Sequence, residues 1–295
     1  MRNEGGVIGR RRFLVAPAVA YLVILTQVPL VLTLYYSLRS WNLLRPESDR
    51  FVGLGSFSAV LRDPQFWPVI QTTTVLTLSV VIVTHALGLL FALLLNRSFP
   101  GRGLARTLLI TPFLIMPTVS AVLWKNMLLN PAFGLFNTVL VGLGLDRIDA
   151  LAHYPLVAVV AILSWQWTPF TMLILLAGLQ SFPDELRDAA SMDGAGPLAI
   201  FRHLVIPHLA RYVEIAVLLE VLFVLSAFGE IFVATSGGPG ISTTNLTYQI
   251  YREAFERWNI GRASALGVFA ILLANMVLLL FLRLVRRDDR GQATA

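Results

Sequence analysis

Three carboxylates, Glu214, Glu220 and Glu230, lie in a run of residues otherwise apolar enough to cross a membrane. A carboxylate held in hydrocarbon is costly and usually faces a bundle interior or a water-filled cavity, so Glu220 is a cavity candidate, while Glu214 and Glu230 fall near the two interfaces. At about 100° per residue, Glu220 sits about 240° around a helix from Glu214, and Glu230 about 160° from it. They form no stripe, which argues against a proton relay along one face. Glu220 is the deep one, about 12 Å from the start of the run at 212. In the apolar run before it, Trp165-Gln166-Trp167-Thr168 precedes Pro169. Aromatic rings beside an amide and a carboxylate suit a polyhydroxylated ligand, whose C–H faces stack on rings while its hydroxyls hydrogen-bond. Other uses stay open: Glu220 also suits a polar group on a neighbouring helix, and Trp167 with Pro169 also suits helix packing. Asn275 equally suits an interhelical hydrogen bond or a ligand contact.

Other chemistries are excluded. The chain has no cysteine, and His85, His153, His203 and His208 neither cluster nor show a metal-ligand spacing. No nucleophile–base arrangement is anchored by a motif, so there are no catalytic and no metal-binding candidates, and an intramembrane hydrolase has no support. No G-x-x-x-x-G-K-[S/T] occurs, so any ATP consumed by the protein's work must be bound by another polypeptide.

A second feature is polar. Residues 181–207 read S-F-P-D-E-L-R-D-A-A-S-M-D-G-A-G-P-L-A-I-F-R-H-L-V-I-P between two apolar runs. Ser181 is a candidate N-cap, with Pro183 in the first turn. Asp184, Glu185 and Asp188 fall in the early turns, where the helix dipole favours negative charge. Gly194 suits a left-handed helix end, Gly196-Pro197 opens a second helix, and Pro207 stops or kinks it. The pattern predicts helix, tight turn, helix.

The elements that must position these residues follow from composition. The 295 residues are 56% hydrophobic and 14% charged, with mean hydropathy +0.73 and pI near 10.2. A soluble domain carries about 25% charged residues, so the chain reads as an all-α membrane protein. The basic residues lie between apolar runs rather than in one patch, which argues against nucleic acid. At about 20 residues per crossing, six transmembrane helices are expected, over 13–38, 69–95, 104–128, 156–179, 212–234 and 263–285. Pro112, Pro117 and Lys125 interrupt the third. The first run is too long for a signal-peptide core and reads as a retained span. The expected organisation is a cytoplasmic tail at 1–12, a first helix at 13–38, an external segment at 39–68, a transmembrane domain at 69–285 and a cytoplasmic tail at 286–295. With the N-terminus inside, fourteen arginines face the cytoplasm and eight face outward. Both termini and the 181–207 hairpin are then cytoplasmic.

On that side the hairpin resembles a known family. Asp188-Ala189-Ala190, Gly194 and Leu204-Val205-Ile206-Pro207 reproduce the spacing of the EAA motif, E-A-A-x3-G-x9-I-x-L-P. That motif marks permease subunits of binding-protein-dependent ABC importers. Asp stands for Glu at 188, and Leu and Ile are exchanged at 204 and 206. Trp167-Thr168-Pro169-Phe170, Leu176-Ala177-Gly178-Leu179-Gln180, Pro183-Asp184-Glu185-Leu186 and Ser236-Gly237-Gly238-Pro239 resemble the carbohydrate-uptake branch, relatives of the maltose and glycerol-phosphate permeases. The resemblance spans roughly residues 65–285.

It implies a type I ABC importer permease fold in a bacterial plasma (inner) membrane. It implies a second permease subunit, two ATPase subunits that bind Mg-ATP, an external solute-binding protein and a sugar or polyol substrate, with no cofactor in this chain. Glu185, Asp188, Ala189, Ala190, Gly194 and Pro207 would form the ATPase-coupling helix. The middles of the fourth and fifth helices would line the solute pathway, which implies Gln166, Trp167, Phe170, Glu220 and Val224. The rival reading is a proton-coupled secondary transporter working through Glu220.

Overall fold

The computed structural model describes residues 4–292, with side chains over 16–281 and at 283. The side chains of both expected tails, 1–12 and 286–295, therefore lie outside the described residues. The chain divides into two compact units, residues 1–66 with 249–272, and residues 67–248 with 273–295.

The first unit begins with α1 (Glu4–Ser37). Apart from Ser37 at its end, no residue of its apolar stretch Ala16–Ser37 is buried within the chain. It leads into β1 (Arg39–Asn42) and β2 (Arg45–Phe51), an antiparallel hairpin in the register Arg39↔Phe51, Ser40↔Arg50 and Asn42↔Arg45. The all-α expectation missed this small sheet. Asn42 Oδ1 accepts the Leu44 N–H at 2.9 Å, the side-chain mimic of a turn that asparagine supplies. Arg39 pairs with Asp49 across the hairpin at 2.7 Å. After α2 (Gly55–Leu61), Asp63 binds Arg262, which also approaches the buried Glu253. Burial would raise the Asp63 carboxyl, but the Gln65 N–H and the Arg262 guanidinium outweigh it and hold the group below the usual carboxylate range.

The second unit carries α3 (Phe66–Leu95) beyond its first residue, then α4 (Arg102–Leu114) and α5 (Pro117–Leu123), which runs into a π-turn at Trp124–Leu128. The third expected span is not one straight helix, because α4 and α5 meet at 105°. Pro117 drives its neighbour out of the helical region, and Met116 is extended at ψ 141°. The stranded Ile115 carbonyl accepts Gln166 Nε2 at 3.0 Å, the kind of rescue a broken helix needs in hydrocarbon. Short helices α6 (Leu135–Gly142) and α7 (Ala150–His153) precede α8 (Pro155–Gln180). α8 is the most enclosed of the candidate spans, with 61% of its apolar window buried.

α9 (Asp184–Met192) and α10 (Pro197–Ile200) form the polar hairpin, followed by a π-turn at Phe201–Val205 and α11 (Ile206–Leu225). The fifth expected span is interrupted too: α11 ends at Leu225 and α12 (Gly229–Ala234) restarts after a break. There the Ala227 carbonyl accepts Asn245 Nδ2 at 2.6 Å and the Leu225 carbonyl accepts Thr247 Oγ1 at 2.9 Å. α13 (Leu246–Tyr251) passes through a π-turn at Arg252–Glu256 to α14 (Ile260–Gln292). Among the described residues, four helices are long and apolar enough to cross a membrane, and the bent α4–α5 pair makes a fifth. Six crossings are compatible with this if α11 with α12 completes the set.

Candidate functional site

The hairpin begins where α8 ends. Ser181 is the C-cap of α8 and not the expected N-cap: its N–H donates to Ala177 O and its Oγ to Gly178 O. Pro183 explains the shift. The residue before a proline avoids the helical region, and Pro183 itself is extended at ψ 128°, so α9 starts at Asp184. Asp184 and Glu185 occupy the first turn. The turn is made by Gly194 at φ +83°, and Pro197 opens α10. Pro207 does not stop the chain, because it sits in the first turn of α11, where its missing N–H costs nothing.

The base of the hairpin is fixed. The Ser181 and Tyr212 hydroxyls are 2.7 Å apart, with His208 Nε2 at 3.1 Å from Ser181 Oγ. A Cβ at Gly178 would meet the Tyr212 ring at 2.7 Å, so only glycine allows α8 and α11 to approach this closely. Beyond the base the hairpin is open. Glu185, Asp188 and Ala189 are exposed, while Ala190 is half-buried against the core. Asp188 has no ion-pair partner among the described residues. Flanking the turn are two apolar side chains that sequence reasoning missed, Met192 at 89% and Leu198 at 79% exposure. Their signal was an apolar residue on each side of the turn glycine.

The five residues expected along a solute path separate into two groups. Trp167 and Phe170 are half-buried and share an aromatic cluster with Phe113 and Phe223. Trp167 stacks on Phe223 with centroids 5.0 Å apart, and Phe113 stacks on Phe170 at 5.8 Å. Phe223 is 51% exposed and continues an exposed stripe on α11 with Leu219 and Ile215. That i, i+4, i+8 spacing could have marked the face in the sequence. Gln166 and Val224 lie inside the unit, with Gln166 Nε2 donating to the Ile115 carbonyl and its Oε1 unpartnered.

Glu220 is likewise interior, at 0% exposure. Thr171 Oγ1 donates to its Oε2 at 3.1 Å, Thr84 also reaches the carboxylate, and His85 Nδ1 lies 3.3 Å from Oε2. His85 Nδ1 is also 2.8 Å from the Val81 carbonyl, which can only accept, so Nδ1 carries the hydrogen of that bond. The cluster joins α3, α8 and α11. Among the described residues no group of three or more metal-ligating side chains forms.

The family described as "Binding-protein-dependent transport system inner membrane component" matches residues 52–290. The probable ABC transporter permease protein y4oQ of Sinorhizobium fredii is 40% identical over 273 residues, 92% of this chain and 88% of that protein. The trehalose/maltose transport system permease protein MalF of Thermococcus litoralis is 33% identical over 283 residues, 93% of this chain and 94% of that one. A chain of a bacterial alginate ABC transporter, crystallised with an alginate pentasaccharide-bound periplasmic protein, superposes with a TM-score of 0.82 at 21% identity, covering 97% of this chain and 98% of that chain. That last likeness concerns the fold.

Proposed function

The chain belongs to the family of binding-protein-dependent transport system inner membrane components, and from that premise we propose that it is a pore-forming subunit of an importer for a sugar or polyol. It is a multi-pass membrane permease and not itself an enzyme. Both termini and the 181–207 hairpin face the cytoplasm, where two ATPase subunits hydrolyse Mg-ATP. A second permease subunit completes the pore, and an external binding protein delivers the solute. The names of its relatives support a carbohydrate, as MalF serves trehalose and maltose.

The observation that carries the reading is the hairpin, which combines EAA spacing with a rigid base and an exposed, unpaired end. Asp188 would pair with a basic residue of the ATPase in a charge-assisted bond. Met192 and Leu198 would fill its cleft, with Gly194 holding the turn between them and Glu185, Ala189, Ala190 and Pro207 shaping the rest of the contact. Closure of the ATPase pair would then act through the hairpin on α8 and α11, to which it is tied by Ser181 and Tyr212. Trp167 and Phe170 would meet the solute on the aromatic face, while Gln166, Glu220 and Val224 hold the helices beneath it.

A proton-coupled carrier working through Glu220 is not supported, since the relatives and structural neighbours are ABC transporter permeases. Uptake into proteoliposomes carrying the permease, its partners and the binding protein tests the proposal. Uptake should require ATP and the ATPase and should survive a protonophore. Uptake that persists without the ATPase and collapses with the protonophore would overturn it.

A further inference from the structure

We propose that the second unit carries a binding site for an anionic phospholipid, with its acyl chain in a groove between α3, α4 and α8 and its phosphate on Arg102 and Arg106. The choice of the cytoplasmic leaflet rests on the orientation proposed above.

The groove is a cavity of about 440 Å³, within the range that holds an organic ligand. Val83, Leu87 and Phe91 line it from α3, Leu108 and Leu109 from α4, and Trp165 from α8. It opens on the side of the helices, because the lining residues Leu87 and Leu108 are exposed. The lining excludes a polyol. Thr168 Oγ1 is already committed to the Ser164 carbonyl at 2.6 Å. The unpaired Ser164 hydroxyl and Trp124 indole N–H are too few for a ring of hydroxyls.

Charge supplies the second half of the argument. No Asp or Glu occurs between Asp63 and Asp146, yet Arg97, Arg102 and Arg106 all fall in that interval. None of the three has an ion-pair partner among the described residues. They lie at the hairpin end of the unit, where Ala105 and Leu109, like Phe201 and Leu204 beyond the hairpin, pack against the buried cluster that includes Leu179 and Ile200. At about 100° and 1.5 Å per residue, Arg102 and Arg106 lie about 20° and 60° around α4 from the lining residue Leu109 and about 10 Å and 5 Å along the axis from it, so a chain in the groove would present its headgroup on the α4 face that carries the guanidinium groups. Basic residues at a membrane surface attract anionic lipid, and guanidinium groups bind phosphate through paired N–H donors.

The full chain in phosphatidylcholine nanodiscs, with phosphatidylglycerol added at increasing fraction, tests the site. Lipid retained after detergent exchange is counted by native mass spectrometry. The wild type should retain phosphatidylglycerol over phosphatidylcholine on the order of tenfold. The Arg102→Gln/Arg106→Gln variant should lose that preference. Ala161→Phe, which fills the groove, should lower retention of both lipids. The arginine variant leaves the core untouched, so it decides the matter even where Ala161→Phe fails to fold. Equal retention of the two lipids by the wild type would overturn the proposal. So would an arginine variant that keeps its preference while losing co-purified ATPase, because the arginines would then serve the protein partner. Retention is read from both leaflets. Labelling of Gly103→Cys by an impermeant maleimide from outside would overturn the orientation alone and leave the lipid site standing.

Discussion

Replacing Gly194 perturbs the hairpin at a residue whose backbone is left-handed, at φ +83°. A Cβ there would meet nothing within 4 Å, so the cost is conformational and not steric. It is about 1–2 kcal/mol for an ordinary side chain and less for asparagine, which tolerates this region. The strain works against two hydrogen bonds that close the turn, from the Gly194 N–H to Ser191 O at 3.1 Å and from the Ala195 N–H to Ala190 O at 2.9 Å. Each contributes about 1 kcal/mol net, so the turn in an alanine variant is close to balanced and a sizeable fraction of hairpins would open. A β-branched residue is worse still. The hairpin end is exposed, so all variants should insert and melt like the wild type. ATP hydrolysed per solute imported, measured in proteoliposomes with the partners present, should rise in the order Gly194, Gly194→Asn, Gly194→Ala, Gly194→Val. The alanine variant should be impaired several-fold. Wild-type coupling in Gly194→Val would refute the docking role. Asparagine as damaging as valine would refute the backbone reasoning and point to side-chain bulk against the partner.

Gly178→Leu should fail more broadly, because the new side chain collides with Tyr212 and Leu209; overpacking of about 1–3 kcal/mol should appear as a lower Tm and reduced yield of assembled complex. Glu220→Leu leaves the buried Thr171 hydroxyl without its acceptor and should destabilise by about 1–3 kcal/mol in thermal denaturation, with Thr171→Val added to it recovering part of the loss. Trp167→Ala should raise the apparent KM for uptake several-fold while co-purification of the ATPase is unchanged; an unaltered KM removes the aromatic face from the solute path. Asp63→Asn removes the carboxylate that binds Arg262 and should lower the Tm by an amount corresponding to about 1–2 kcal/mol at neutral pH. Because the folded Asp63 titrates below its ordinary value, that contribution is present above the unfolded pKa of about 4 and is lost as pH falls through the folded one. The Tm gap between wild type and variant should therefore close only below about pH 4.

The hairpin was legible because its signals are local. A glycine that must turn, a proline that must start a helix and acidic residues that prefer a helix N-terminus act on their immediate neighbours. Even so, Ser181 changed role, since Pro183 controls where α9 begins and the hydroxyl was free to close α8 instead. The kinks were legible only as prolines, and the 105° bend at 115–116 was not. Its stability depends on Gln166, 51 residues away in the chain. Gln166 read as a ligand contact, and that its Nε2 also holds this carbonyl was not visible from the sequence. Glu220 was correctly placed deep in the bundle, but periodicity says nothing about which helix supplies the partner, and His85 and Thr171 come from two others. The β1–β2 hairpin was missed because R-P-E-S-D-R is polar on both faces and carries no apolar alternation.

The rescued carbonyls of the broken helices have a mechanical consequence. Gln166 fastens α8 to the elbow between α4 and α5, and Lys125 Nζ fastens the following π-turn to the Val233 carbonyl of α12 at 3.0 Å. Asn245 and Thr247 fasten the break between α11 and α12 to the segment that returns past it. Opening any of these breaks would leave a bare carbonyl in hydrocarbon at a cost of several kcal/mol. The elbow, α8, α12 and residues 245–247 are therefore stapled into one stiff block. A transport stroke that reaches it must swing the whole block, because the bends that most resemble joints are the parts least free to flex.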